Sequence, residues 1–212
     1  MVQNLNIIKI IIKFASDNNS FILKFAIMEE YRRTVEAYAS RHENYLFHNE
    51  GNEHALIIFE NIFSNANDTI RIAANNLCNS EVVDRKEYVE PLIKFLDNGG
   101  TLRILLKVAP DPSNEELKKG NCLYRALFNH EAYKKGAIQI KSGEGKCFHD
   151  SEHKEIHFCT ADGHMYRIEN DIVERKALCN VGDEVKTKEF DDLFDWVFDS
   201  VHHIVDLGVY FQ

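Results

Sequence analysis

Glu155, His157, Cys159 and Asp162 fall within nine residues, Glu155-Ile-His-Phe-Cys-Thr-Ala-Asp-Gly163. A half-buried strand points alternate side chains to opposite faces, so Glu155, His157, Cys159 and Ala161 share one face and Ile156, Phe158 and Thr160 the other. Glu and His are competent general acid–base groups. Asp162-Gly163 is a hairpin signal, and Asp before Gly suits a tight turn whatever the function. On the following strand Arg167 and Glu169 stand two apart on one face and can pair. Glu155 and His157 are therefore candidate catalytic groups. The candidate ligand-binding face is Glu155, His157, Cys159, Arg167 and Glu169.

His149, His153 and His157 recur every four residues, the spacing of a helical metal site. Gly143 and Gly145 precede them and a strand follows, which argues against a helix. His157 with Cys159 on one strand face, plus His164 across the hairpin, is the better candidate metal set. It lacks the closely spaced cysteine pair of structural zinc sites, so ordinary surface and loop histidines are the expectation. The chain has no G-x-S-x-G, P-loop or G-x-G-x-x-G signature, and no cofactor is expected.

The elements that must position these residues follow from periodicity. Helices are expected over Glu29–Arg41, Glu53–Asn65, Glu87–Leu96, Ser113 to Lys135 with an interruption near Gly120, and Lys186–Val205. Ser113 with Glu116 has the capping-box spacing. Strands are expected over Asp68–Ala74, Thr101–Lys107, Ala137–Lys141, Glu155–Ala161, His164–Glu169 and Lys176–Asn180, with loop from Lys141 to Ser151. Phe190, Leu193, Phe194, Val197, Val201, Ile204 and Val205 mark the buried stripe of the last helix; Trp196 and its neighbours also read as core. The alternation implies an α/β fold, a mixed, mostly parallel sheet flanked by helices.

This order resembles the phospholipase D-like superfamily. The resemblance covers roughly residues 53–205 and rests on Glu87-Tyr-Val-Glu-Pro-Leu-Ile-Lys-Phe-Leu-Asp-Asn-Gly-Gly-Thr-Leu-Arg-Ile-Leu-Leu106, where a helix ends in Gly and leads into a strand, and on Glu155 to Gly163. It implies one half-domain with a later strand of the form His-x-Lys-x-x-x-x-Asp. There the His is the nucleophile, the Lys binds phosphoryl oxygens, and two motif copies meet across a twofold or pseudo-twofold axis. Anchoring the motif Asp on Asp162, which the resemblance thereby makes a third catalytic candidate, puts Glu155 at the nucleophile's position and His157 at the cation's. A carboxylate repels an incoming phosphodiester, and an imidazole is mostly neutral at pH 7. A downstream Gly-Ser-x-Asn element is replaced by Glu169-Asn170-Asp171-Ile172. No lysine stands at the motif position, so residual catalysis would call for a metal.

The expectation is a catalytically degenerate phospholipase D-like domain acting as a binding or regulatory module, dimeric because one half is present. The alternative is a metal-dependent phosphodiesterase or nuclease with a rearranged site built from Glu155, His157 and His153 or His149. The ligand would be a phosphate-bearing molecule, a nucleic acid or a protein partner. A net charge of −9 weighs against polyanions, so only a local patch could bind them. Thr101–Lys146 carries nine Lys/Arg against five Asp/Glu, while the residues after Asn180 carry eight acids and two lysines. Five scattered cysteines without a C-x-x-C suggest reduced thiols and a cytoplasmic setting. Residues 1–27 hold two apolar runs, each too short to span a bilayer. They read as an extension, either a packing or docking segment or an over-long gene start with Met28 as the true beginning. Residues 28–52 then form a helical region, 53–207 the α/β domain and 208–212 a tail.

Overall fold

The computed structural model describes residues 22–113 and 121–211. The first helix, α1, covers 22–39 and runs through Met28 without a break. Then follow β1 (Phe47–Asn49), α2 (Gly51–Asn65), β2 (Thr69–Ala74), α3 (Lys86–Asp97), β3 (Thr101–Leu106), α4 (Cys122–Asn129) and α5 (Glu131–Lys134). The chain continues with β4 (Ile138–Ser142), β5 (Phe148–His149), β6 (Glu155–Ala161), β7 (Met165–Asp171), β8 (Lys176–Asn180), α6 (Glu184–Ser200) and α7 (Gly208–Phe211). The proposed Ser113–Glu116 cap extends outside the described residues; Ser113 itself bonds Asp111 Oδ1 through its N–H and its hydroxyl.

One sheet carries the order β1-β8-β7-β6-β2-β3-β4, with β5 paired to β6. It is mixed, as the alternation implies. Parallel pairing is confined to β2–β3–β4, where helices connect the strands. Tight turns link β6, β7 and β8, so these pair antiparallel, as do β2 with β6 and β1 with β8. The antiparallel share thus exceeds what alternation suggests.

Helices cover both faces. Under α1, α2 and α3 lies the larger core, with Ile58, Ile62, Tyr88, Leu92, Ile70, Ile104 and Cys159. On the opposite face Phe194 and Phe198 of α6 pack on Phe148, Phe158 and Tyr166. Glu155, His157 and Cys159 point to the first face, and Ile156, Phe158 and Thr160 belong to the second, as alternation requires.

Several local expectations change. β1 is too short and too polar to announce itself by periodicity; it is recruited by pairing Phe47 with Cys179 and Asn49 with Ala177. β5 exists because Phe148 and His149 pair with Ile156 and Glu155. The expected helix up to Lys135 breaks at His130, whose imidazole caps α5 by accepting from the Ala132 N–H at 3.1 Å. The last helix begins earlier, capped by the Asp183 carboxylate on the Lys186 N–H, and ends at Ser200. Beyond it the chain extends along β4, with Ser142 N–H donating to His203 O and Val205 N–H to Ile140 O. That leaves Ile204 exposed. Trp196 is 73% exposed and not core: it sits a quarter-turn or more from the Phe194–Phe198 line that meets the sheet.

The charge asymmetry along the chain is answered inside the fold. Arg103, from the basic segment, pairs with Asp195 and Asp199 of the acidic last helix, and Arg71 pairs with Asp191 and Asp195.

Candidate functional site

The polar face of β6 belongs to a continuous chain of charges. Lys107, just past β3, places Nζ 2.6 Å from Glu155 Oε2. Glu155 Oε1 lies 3.2 Å from His157 Nε2. His157 Nδ1 lies 3.4 Å from Glu169 Oε2, because His157 and Glu169 are register partners. Glu169 Oε1 accepts from Arg167 Nη2 at 3.1 Å, the pairing expected from sequence. Arg167 Nε donates to Asn49 Oδ1 at 2.8 Å, and its guanidinium stacks over Phe59 at 4.9 Å.

Arg167 and Glu169 are buried. Burial alone raises a carboxyl pKa, but the contacts of Glu169 with His157 and Arg167 outweigh it and hold this carboxyl below the usual range. Glu155 is likewise held low: its partial burial is outweighed by Lys107 and His157. Cys159 lies on the same face, fully buried, and burial pushes its thiol well up; its neighbour Cys179 is pushed up to about 12. Both are therefore protonated thiols, poor nucleophiles and poor metal ligands.

Asp162 lies elsewhere. Its carboxylate accepts three backbone N–H bonds, from Asn67 (2.6 Å), Asp68 (3.0 Å) and Thr69 (2.8 Å), which ties the β6–β7 turn to the start of β2. Asp162 and Gly163 take φ of 50° and 70°, a region open to Asp and Gly. His164 turns to His42, with Nε2 2.8 Å from His42 Nδ1, so it does not meet His157 and Cys159. His149 lies on β5 near Cys147 Sγ (3.7 Å), and His153 sits in the following turn. Among the described residues no three His, Cys, Asp or Glu side chains are grouped to hold a metal.

Sequence reasoning missed Lys107 and Asn49. Lys107 follows a strand whose alternation ends at Leu106, and its partner is set by the β3–β2–β6 strand order. Asn49 belongs to the unexpected β1. Lys107 brings a cation to this face from another strand, already paired to Glu155.

Beside this chain of charges a cavity of about 210 Å³ opens between the sheet and its helical cover. Phe59, Ile72, Val82, Val83 and Tyr88 form its apolar wall, and His157, Arg167, Glu169 and Arg175 stand at its polar side.

The fold is phospholipase D-like. Solved structures match it over most of the chain. TrmBL2, an archaeal chromatin protein whose structure shows a novel mode of DNA binding, is 14% identical with a TM-score of 0.51, over 90% of this chain and 68% of that one. Nuc of Salmonella typhimurium, a phospholipase D family member, is 12% identical with a TM-score of 0.50, over 76% of this chain and 98% of that one. NucT of Helicobacter pylori is 10% identical with a TM-score of 0.51, over 76% and 99%. No protein-family profile and no curated protein matches the sequence. At these identities the likeness is one of fold. No helix among the described residues is long and apolar enough to cross a membrane.

Proposed function

We propose that this chain is a catalytically degenerate phospholipase D-like domain that acts as a binding or regulatory module and works as a homodimer. The observation that carries the proposal is the internal pairing along the motif strand. Phosphoryl transfer needs a nucleophile and cations free to meet developing negative charge. Here Glu155 stands at the nucleophile's position and repels a phosphodiester. The nearest cation, Lys107, is neutralised by that carboxylate at 2.6 Å. Arg167 is committed to Glu169 and Asn49. A site in this state suits recognition better than turnover.

TrmBL2 is a DNA-binding example of the fold. In this chain the net charge of −9 and the pairing of Arg103 with Asp195 and Asp199 oppose a nucleic-acid role. A small ligand or a protein partner fits better, in a cytoplasmic setting suited to five scattered cysteines without a C-x-x-C.

The family's reaction passes through a phosphorylated enzyme. Incubation with bis(p-nitrophenyl) phosphate, followed by intact-mass measurement after acid quench, should show an unmodified chain and no nitrophenol above the blank. A mass increase of one p-nitrophenylphosphoryl group, with release of one nitrophenol, would overturn the proposal.

A further inference from the structure

The cavity beside the charge chain has three features that together define the ligand class of the proposed binding module, and the inference rests on that reading. The first is a preformed shape. The loop that roofs the cavity is pinned from outside: Tyr124 OH donates to Asn76 O at 2.6 Å and Asn121 Nδ2 to Leu77 O at 3.2 Å. A volume of about 210 Å³, open to solvent on one side, has room for about seven waters.

The second feature is a tyrosine hydroxyl on the cavity wall. Tyr88 lines the cavity and is 1% exposed. Its ring is fixed by edge contacts with Phe59 and Phe63. Its hydroxyl has no hydrogen-bond partner among the described residues, while Arg167 and Cys159 lie within electrostatic reach. On the cavity wall, this hydroxyl is placed to donate to a ligand atom.

The third feature is charge. Of the charged groups that line the cavity, Arg167 and Glu169 cancel one another. Arg175 remains: its backbone carbonyl is held by Asn49 Nδ2 at 3.2 Å, and its guanidinium has no partner among the described residues. The lining therefore carries one surplus positive charge beside an apolar wall.

We infer that this cavity binds a small amphipathic anion, its apolar body against Phe59, Val82 and Val83, a polar atom at Tyr88 and its anionic head at Arg175. A carboxylate or a phosphate monoester could supply the head. A polymer such as a nucleic acid could not enter.

Titration calorimetry with phenylacetate, benzyl phosphate and uncharged phenylacetamide tests the assignment on the full chain. Phenylacetate or benzyl phosphate should bind about tenfold or more tightly than phenylacetamide, and the tighter of the two identifies the head. Arg175→Gln, on the surface and expected to fold normally, should erase that preference. Val83→Trp, if its near-ultraviolet circular dichroism is native, should abolish binding of all three by filling the cavity. Equal affinity for amide and anions, a preference that survives Arg175→Gln, or no binding of either anion overturns the inference. The two readings fail separately: phosphodiester turnover defeats the inert module, whereas missing or charge-blind binding without turnover defeats the cavity assignment alone.

Discussion

Asp162, a catalytic candidate by sequence, serves structure. Three backbone N–H groups converge on its carboxylate, and hydrogen bonds to charged groups contribute about 1.5–3 kcal/mol each before overlap and exposure are discounted. Asp162→Ala should lose about 2 kcal/mol or more in urea denaturation. Asp162→Asn, which keeps an acceptor and tolerates the positive φ, should lose clearly less. Equal losses would contradict the anchoring role. Glu169 makes a second residue-scale claim. Its folded-state pKa, like that of Glu155, lies below the ordinary 4.5. A depressed carboxyl contributes stability that is fully present above the unfolded value and lost as pH falls through the folded one. Stability should thus decline as pH drops below about 4.5, and Glu169→Gln should flatten part of that acid limb. At pH 7 the same variant should cost about 3 kcal/mol, because it leaves Arg167 buried without its anion; denaturant melts at pH 7 and pH 3.5 check both effects.

At the scale of elements, the phase of α6 decides which aromatic residues matter. Phe194 is fully buried and stacks on Phe198 at 5.4 Å, whereas Trp196 faces solvent. Phe194→Ala should cost about 3–5 kcal/mol, and Trp196→Ala less than about 0.5 kcal/mol, in matched thermal or urea melts. The reverse order would place the wrong face on the sheet. Sequence reading recovered most elements because their signals are local: alternation in β6, Gly99 and Gly100 closing α3, and Asp162-Gly163 turning the hairpin. It missed β1 and β5, which exist through strand pairing and not through their own composition. It overran α6 because Val201 and Val205 keep helical spacing while the backbone there pairs with β4. At the candidate site, Glu155, His157, Arg167 and Glu169 were legible as one face, since a single period of two places them. Lys107 and Asn49 were not, since they reach that face from strands whose order no local pattern encodes.

At the scale of the molecule, one phospholipase D-like unit carries one motif strand, and the resemblance implies that two such strands meet across a twofold axis. Sedimentation velocity at micromolar concentration should therefore show a dimer, unchanged in His157→Ala; a monomer at all concentrations would leave the binding role without its symmetric partner. The account's central claim is that the motif face holds its charges among themselves and performs no phosphodiester chemistry. His157, set between Glu155 and Glu169, is the group through which a metal-dependent reaction would have to run. The most direct test is the rate of bis(p-nitrophenyl) phosphate hydrolysis at pH 7 with Mg²⁺, Mn²⁺ or Zn²⁺, for the native chain and His157→Ala. The account predicts that both stay at the metal-only blank. A metal-dependent rate in the native chain that His157→Ala removes would contradict it and establish a phosphodiesterase.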